Sequence, residues 1–100
     1  MKKTVAKLFK LSVIACMLSS PALADFKEHF ELGQSYMMQY QYPSAINEFK
    51  NALRINYLDN SARIGLINAH LARATEYVTK DKNYEKAADD YRSALFYLTY

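Results

Sequence analysis

The sequence predicts an all-α fold built of antiparallel helical hairpins, and two observations lead to this class. The chain has 100 residues with only 2 Gly and 2 Pro, too few for the many tight turns of an all-β fold. From residue 26 onward, apolar residues recur at steps of three and four, which places them on one face of a helix. A chain of this length folds as one domain at most.

The first 24 residues have the order of a bacterial-type secretory signal peptide. A basic segment, 1–10, precedes a short apolar run, 11–18, and a stretch of small and polar residues, 19–24, follows. The apolar run is far shorter than the roughly 20 residues that a membrane span needs. We therefore expect a cleaved leader and a mature chain that is periplasmic or secreted, without a stable membrane span.

Two processing sites remain open in this leader. Ala22 and Ala24 are small enough for the subsites of a signal peptidase, so we expect cleavage between Ala24 and Asp25 and a mature domain at 25–100. The alternative is lipid attachment at Cys16, because the residues before it loosely resemble a lipoprotein box.

The positive charge of the chain lies in the leader. The whole chain has a formal charge of +3, but four of its 13 basic residues and none of its 10 acidic residues lie in the first 24 positions. Residues 25–100 therefore hold nine basic and ten acidic residues, a formal charge of −1. A nucleic-acid-binding surface needs a basic patch or stripe, so we expect no nucleic acid partner.

A first helix of the mature chain is predicted over 26–39. Apolar positions four residues apart form a stripe along it, and Gly33 lies inside that stripe. Glycine in a helix interior costs about 1 kcal/mol relative to alanine. This cost indicates a close approach of a neighbouring helix, and we expect Ala45 to supply the opposing surface.

Two further helices are predicted over 42–56 and 84–98 because one pattern occurs in both, 42 positions apart. Each copy has an aromatic residue, Ala, an aromatic residue, Ala and Leu at the same internal spacing, on one helical face. The alanines allow a partner helix to approach closely, and the aromatic rings fill the space beside them. We expect three of the tyrosines of these helices to belong to the core, namely Tyr42, Tyr84 and Tyr91.

Between the two copies the sequence predicts a longer helix, over 60–79. Asp59 or Asn60 is suited to cap its first turn. We expect a turn at 80–83, with Asn83 as the N-cap of the last helix.

One stretch of the chain resembles the tetratricopeptide repeat. That family has the pattern W-x2-L-G-x2-Y, then A-x3-F, then P, over 34 residues. The matching positions are His29, Leu32, Gly33, Tyr36, Ala45 and Phe49, with His in place of Trp and with Tyr57 in place of the closing Pro. The resemblance implies a solenoid of stacked antiparallel helical hairpins, here about two repeats.

The second repeat departs from this pattern. Its offset of 42 residues exceeds 34 by roughly two helical turns, so we expect a lengthened first helix. Two registers remain open, in which the place of the Leu32-Gly33 pair is taken by either Leu66-Ile67 or Leu71-Ala72.

The resemblance also implies a concave groove lined by the first helix of each repeat. Such a groove suits a helix or an extended hydrophobic segment of a partner protein. The residues that the register assigns to it are Lys27, Phe30, Gln34, Met37 and Met38 from the first repeat, and Ile64, Asn68 and Leu71 from the second.

The sequence offers no catalytic, cofactor or metal motif, and we expect a protein that is not an enzyme. It contains no zinc-protease, phosphate-loop or serine-hydrolase pattern. His29 and His70 are interpreted as packing residues. Asp89 and Asp90, with Glu85, are interpreted as a solvated acidic face.

These observations favour an exported protein–protein interaction scaffold of the cell envelope. Two alternatives stay open: the N-terminal helper domain of a larger envelope enzyme, as part of a longer repeat array, and a lipid-anchored component of an outer-membrane assembly complex. Residues 94–100 are almost entirely apolar and aromatic, so self-association through the last helix is a further expectation.

Overall fold

The computed structural model describes residues 21–99, and these residues form four α-helices and no strand. The helices are α1 (Pro21–Met38), α2 (Tyr42–Ile55), α3 (Asn60–Glu76) and α4 (Tyr84–Thr99), and a π-helical turn (Tyr77–Asp81) continues α3. The predicted all-α class is therefore confirmed, and each predicted helix is present.

Most of the predicted leader lies outside the described residues, as do Cys16 and Tyr100. The three residues of the expected cleavage site, Ala22, Ala24 and Asp25, are exposed in the first turns of α1. The structure therefore does not test cleavage or lipid attachment.

Helices α1 and α2 form an antiparallel hairpin, as the side-chain pairs between them show. His29 of α1 pairs with Glu48 of α2, whereas the ring of Tyr40, just after α1, meets Tyr42 at the start of α2. Residue numbers therefore rise along one helix as they fall along the other. The backbone reverses at Tyr40, which adopts a left-handed conformation with φ of 59°.

Helices α3 and α4 form the second hairpin. Asp90 of α4 contacts His70 of α3, and Lys86, one turn earlier in α4, lies over the ring of Tyr77, which is two turns later along the chain than His70. The antiparallel arrangement that the sequence predicts is thus present in both hairpins.

Side chains cap the starts of the last two helices. The carboxylate of Asp59 accepts a hydrogen bond of 2.9 Å from the amide of Ala62, and Asn60 is the first helical residue. The cap of α3 is therefore Asp59, one of the two predicted candidates. The side chain of Asn83 accepts from the amide of Lys86 at 3.1 Å, which confirms its predicted role at the start of α4.

The main hydrophobic core lies where α2 packs between α1 and α3. Its buried members are Ala45, Ile46, Phe49, Ala52 and Leu53 from α2, with Ala62, Leu66 and Ala69 from α3. The expectation that Tyr84 and Tyr91 belong to a core is wrong, because both are exposed on α4, whereas Tyr42 is half-buried.

The first helices of the two hairpins also repeat, which we did not predict. Glu48 and Asp90 are equivalent positions of the repeated pattern, 42 residues apart, and each contacts a histidine. Those histidines are His29 and His70, so His70 occupies on α3 the place that His29 occupies on α1. In each case a tyrosine follows seven positions later, at Tyr36 and Tyr77.

This equivalence fixes the register of α3. Four residues after His70 stands Ala74, fully buried, where the first hairpin has Gly33 four residues after His29. Both registers that the sequence left open are therefore wrong, namely Leu66-Ile67 and Leu71-Ala72.

The π-helical turn accommodates one extra residue in the second hairpin. The first helices repeat with an offset of 41 residues and the second helices with an offset of 42. The amide of Lys82 donates to the carbonyl of Tyr77, five positions earlier, so the turn holds one residue more than an α-helical turn. Lys82 then takes a left-handed conformation with φ of 53° and ends the helix.

Candidate interaction groove

The floor of the candidate groove is the ring of Phe49, which lies between two glycines of different helices. A Cβ atom on Gly33 of α1 would lie 2.6 Å from Cε1 of this ring, and one on Gly65 of α3 would lie 2.7 Å from the same atom. These separations are shorter than van der Waals contact, so only glycine admits the ring on either side. The expected partner of Gly33 was Ala45, and the ring of Phe49 is found there instead.

Above this floor, α1 and α3 enclose an open cleft of about 640 Å³. Six of the eight predicted groove residues line it: Phe30, Gln34, Met37 and Met38 from α1, with Ile64 and Asn68 from α3. The repeat register therefore brings residues more than 25 positions apart in sequence to one surface.

Two of the predicted groove residues do not line this cleft. Lys27 is exposed on α1, where its ammonium lies 4.0 Å from the carboxylate of Glu31, on a separate shallow surface. Leu71 is exposed on α3 but does not reach the cleft, which extends along that helix only as far as Asn68.

The structure adds three residues that we did not predict: Phe49, Ser61 and Gly65. The signal for Gly65 was available, because Gly33 and Gly65 are the only glycines of the chain. Phe49 was predicted as core, and it is both core and groove floor because the glycines leave one edge of its ring accessible from the cleft.

The cleft has an apolar base and a polar but uncharged remainder. The ring of Phe30 meets Phe49 with centroids 5.9 Å apart and a tilt of 56°. Gln34, Ser61 and Asn68 are the polar lining residues, and none of the lining side chains carries a charge. An apolar surface with a few amide and hydroxyl groups can bury hydrophobic side chains while it donates hydrogen bonds to, and accepts them from, a peptide backbone.

A second polar feature lies in the other hairpin. Asp90 of α4 and His70 of α3 are only 3% and 4% exposed. The Asp90 carboxylate accepts two hydrogen bonds from Arg73, of 2.8 Å from Nε and 2.7 Å from Nη2, and it lies 2.8 Å from Nδ1 of His70. The interpretation of Asp90 as part of a solvated acidic face is therefore wrong, although Asp89 and Glu85 are exposed.

The charges of this network follow from its surroundings. Burial lowers the pKa of His70, and the hydrogen bond and negative charge of Asp90 oppose this effect without overcoming it. Burial raises the pKa of Asp90, but the hydrogen bonds from Arg73 and His70 outweigh it, so that this pKa lies below its ordinary value. His70 is therefore a neutral ring that donates from Nδ1 to an ionised carboxylate.

The remaining nitrogen of His70, Nε2, is buried and has no hydrogen-bond partner in the structure. The ring of Tyr97 stacks on the imidazole at 6.0 Å. Between residues 21 and 99, no cluster of three His, Cys, Asp or Glu side chains is placed to hold a metal ion. The network joins α3 to α4 inside the hairpin and is remote from the lining of the cleft.

Comparison with known proteins gives no relative, since no protein-family model, curated protein or solved structure matches the chain. None of the helices of the described part combines the length and the hydrophobicity that crossing a bilayer requires.

Proposed function

We propose that the mature chain is an exported protein–protein interaction scaffold of the cell envelope. The observation that carries this proposal is the uncharged, apolar cleft of about 640 Å³ between α1 and α3, floored by Phe49. The order of the leader and the resemblance of 26–59 to the tetratricopeptide repeat support it.

The cleft is suited to a hydrophobic segment of a partner protein. Met38 is 81% exposed at its edge, and Met37 lies beside it in the lining. Unbranched, polarisable methionine side chains adapt to differently shaped apolar partners. The floor, in contrast, is fixed by two glycines that admit the ring of Phe49 in one position. A rigid floor with an adaptable edge selects for apolar character more than for one sequence.

Site-specific cross-linking tests this proposal in cells that export the chain. A photoreactive residue at position 38 or 64 should give a covalent partner product in the envelope fraction, because both positions line the cleft and are exposed. The same probe at Leu58, which is 75% exposed in the loop before α3 and does not line the cleft, is the matched control.

A charge in the cleft should abolish this product. With the probe at position 38, Ile64→Asp places a carboxylate against the apolar base, and we expect the yield to fall at least tenfold, about 1.4 kcal/mol of binding. Leu58→Asp should leave it unchanged. Equal products from positions 38 and 58, or a product found only in the cytosol, would contradict the proposal.

A further inference from the structure

Helix α4 carries an exposed apolar stripe whose equivalent in α2 is buried. Residues 84, 88, 91, 95 and 98 share one helical face, and they comprise Tyr84, Ala88, Tyr91, Leu95 and Leu98. Tyr91 is 46% exposed and Leu95 59%, whereas their counterparts Phe49 and Leu53 in α2 are 2% and 7% exposed. The difference arises because α3 covers this face of α2, and no helix of the described chain covers it on α4.

The position of the charges says what can cover the stripe. Glu85, Asp89 and Arg92 lie along one edge of it, and all three are exposed. The opposite edge is closed, because Ala87 and Ala94 are buried against α3. Any helix that covers the stripe must therefore meet this one open edge, which holds both signs of charge.

From this pattern we infer that the stripe binds a second copy of α4 in an antiparallel, two-fold symmetric pair. In such a pair the same edge of both helices meets, and contacts occur reciprocally. With Tyr91 at the two-fold axis, Leu95 of each copy lies opposite Ala88 of the other, so that a large side chain faces a small one. Tyr84 then lies opposite Leu98, and the two Tyr91 rings meet.

The same register makes the charged edge self-complementary. Arg92 of one copy lies opposite Asp89 of the other, and the reverse contact occurs on the far side of the axis. Within one chain these residues already form a pair, 2.8 Å apart and largely exposed, which contributes little by itself. In the pair of chains, two arginines and two aspartates alternate along one edge, and charge patterns of this kind set the orientation of paired helices.

This inference goes beyond the proposed function, because the stripe on α4 and the cleft between α1 and α3 are separate surfaces. One helix pair buries less than the roughly 1,200 Å² of the smaller stable interfaces. We therefore expect weak association, with a Kd on the order of 10 μM.

Sedimentation velocity of the purified chain at about 1 to 200 μM tests the pair, with helicity measured by circular dichroism. The chain should change from monomer to dimer over this range. Leu95→Glu should weaken the dimer at least tenfold, and Leu58→Glu, the same change at another exposed leucine, should leave it within twofold of the parent. A monomer at every concentration overturns the inference, as does a dimer that tolerates Leu95→Glu.

Charge exchange tests the register. Arg92→Asp gives the shared edge only acids at these positions, and Asp89→Arg gives it only bases, so each variant alone should dimerise at least tenfold more weakly. An equimolar mixture should form a heterodimer that is tighter than either homodimer, because opposite edges then meet. A mixture no tighter than its components overturns the antiparallel register, and neither change should alter the helicity of these exposed positions.

Discussion

The two hairpins share one template but hold their helices together by different means. In the first, Gly33 of α1 admits the ring of Phe49, and the equivalent histidine–acid pair, His29 with Glu48, is half-buried. In the second, Ala74 stands in place of Gly33, and the histidine–acid pair is buried.

A single methyl group accounts for much of this difference. A Cβ atom at Gly33 would lie 2.6 to 2.9 Å from three atoms of the Phe49 ring. Ala74 has such an atom, so a ring at position 91 cannot enter the second hairpin in the same way, and Tyr91 is exposed. Arg73 stands in place of Leu32, and its guanidinium reaches Asp90. Hydrogen bonds thus replace ring packing as the contact between the two helices.

The largest effect that this comparison predicts is on the equivalent aromatic residues. Phe49→Ala should lower the free energy of unfolding by about 3–5 kcal/mol, because it removes a fully enclosed ring and leaves a cavity between two glycines. Tyr91→Ala, the matched change 42 residues later, should cost no more than about 0.5 kcal/mol in the monomer. Urea unfolding at low micromolar concentration measures both. Similar losses would show that the two hairpins do not differ in the way described.

The buried network should give the next largest effect. Asp90→Ala leaves Arg73 and the Nδ1–H of His70 without their acceptor, and we expect a loss of about 2–3 kcal/mol, less than for a fully buried ion pair since Arg73 can reach solvent. Asp89→Ala removes the neighbouring carboxylate, whose pair with Arg92 is exposed, and should cost less than about 0.5 kcal/mol. Equal losses from the two substitutions would mean that Asp90 is not a structural link between α3 and α4.

How much of this could be read from the sequence depended on how local each signal was. Helix positions, both caps and six groove residues followed from spacing, because a step of three or four residues maps directly onto a helical face. Gly65 was not recognised because its partner ring, Phe49, lies in the preceding hairpin. The burial of Asp90 was missed for a similar reason, since adjacent acidic residues are typical of a solvated helix unless His70 and Arg73 are known to face one of them.

The register of α3 failed for a different physical reason. The expectation assumed that both helices of the second repeat are displaced by the same number of residues. A π-helical turn absorbs one residue between them, so the first helices repeat at 41 and the second at 42. The spacing of His29 to Tyr36, which recurs from His70 to Tyr77, carried the signal.

The smallest predicted effect is the dependence of stability on pH, and it belongs to the second hairpin. Because burial lowers the pKa of His70 in the folded chain, the unfolded chain binds a proton more readily near the ordinary histidine pKa of about 6.5. Stability is therefore fully present above that pH and falls as the pH drops through it toward the lower folded-state pKa.

The groups that set this response are Asp90, which favours the charged imidazole, and Arg73 and Lys50, which oppose it together with burial. His70→Asn retains a side-chain donor toward Asp90 but cannot take up a proton. We expect urea unfolding between about pH 7.5 and 5.5 to show a smaller loss of stability for this variant than for the parent. The pKa of Asp90 is lowered in the folded chain, so its contribution is lost only in more acidic solution, below its ordinary pKa of 3.8, and does not overlap this range. An unchanged slope in His70→Asn would show that the folded chain protonates His70 as readily as the unfolded chain does, and a steeper slope would reverse the sign assigned to its burial.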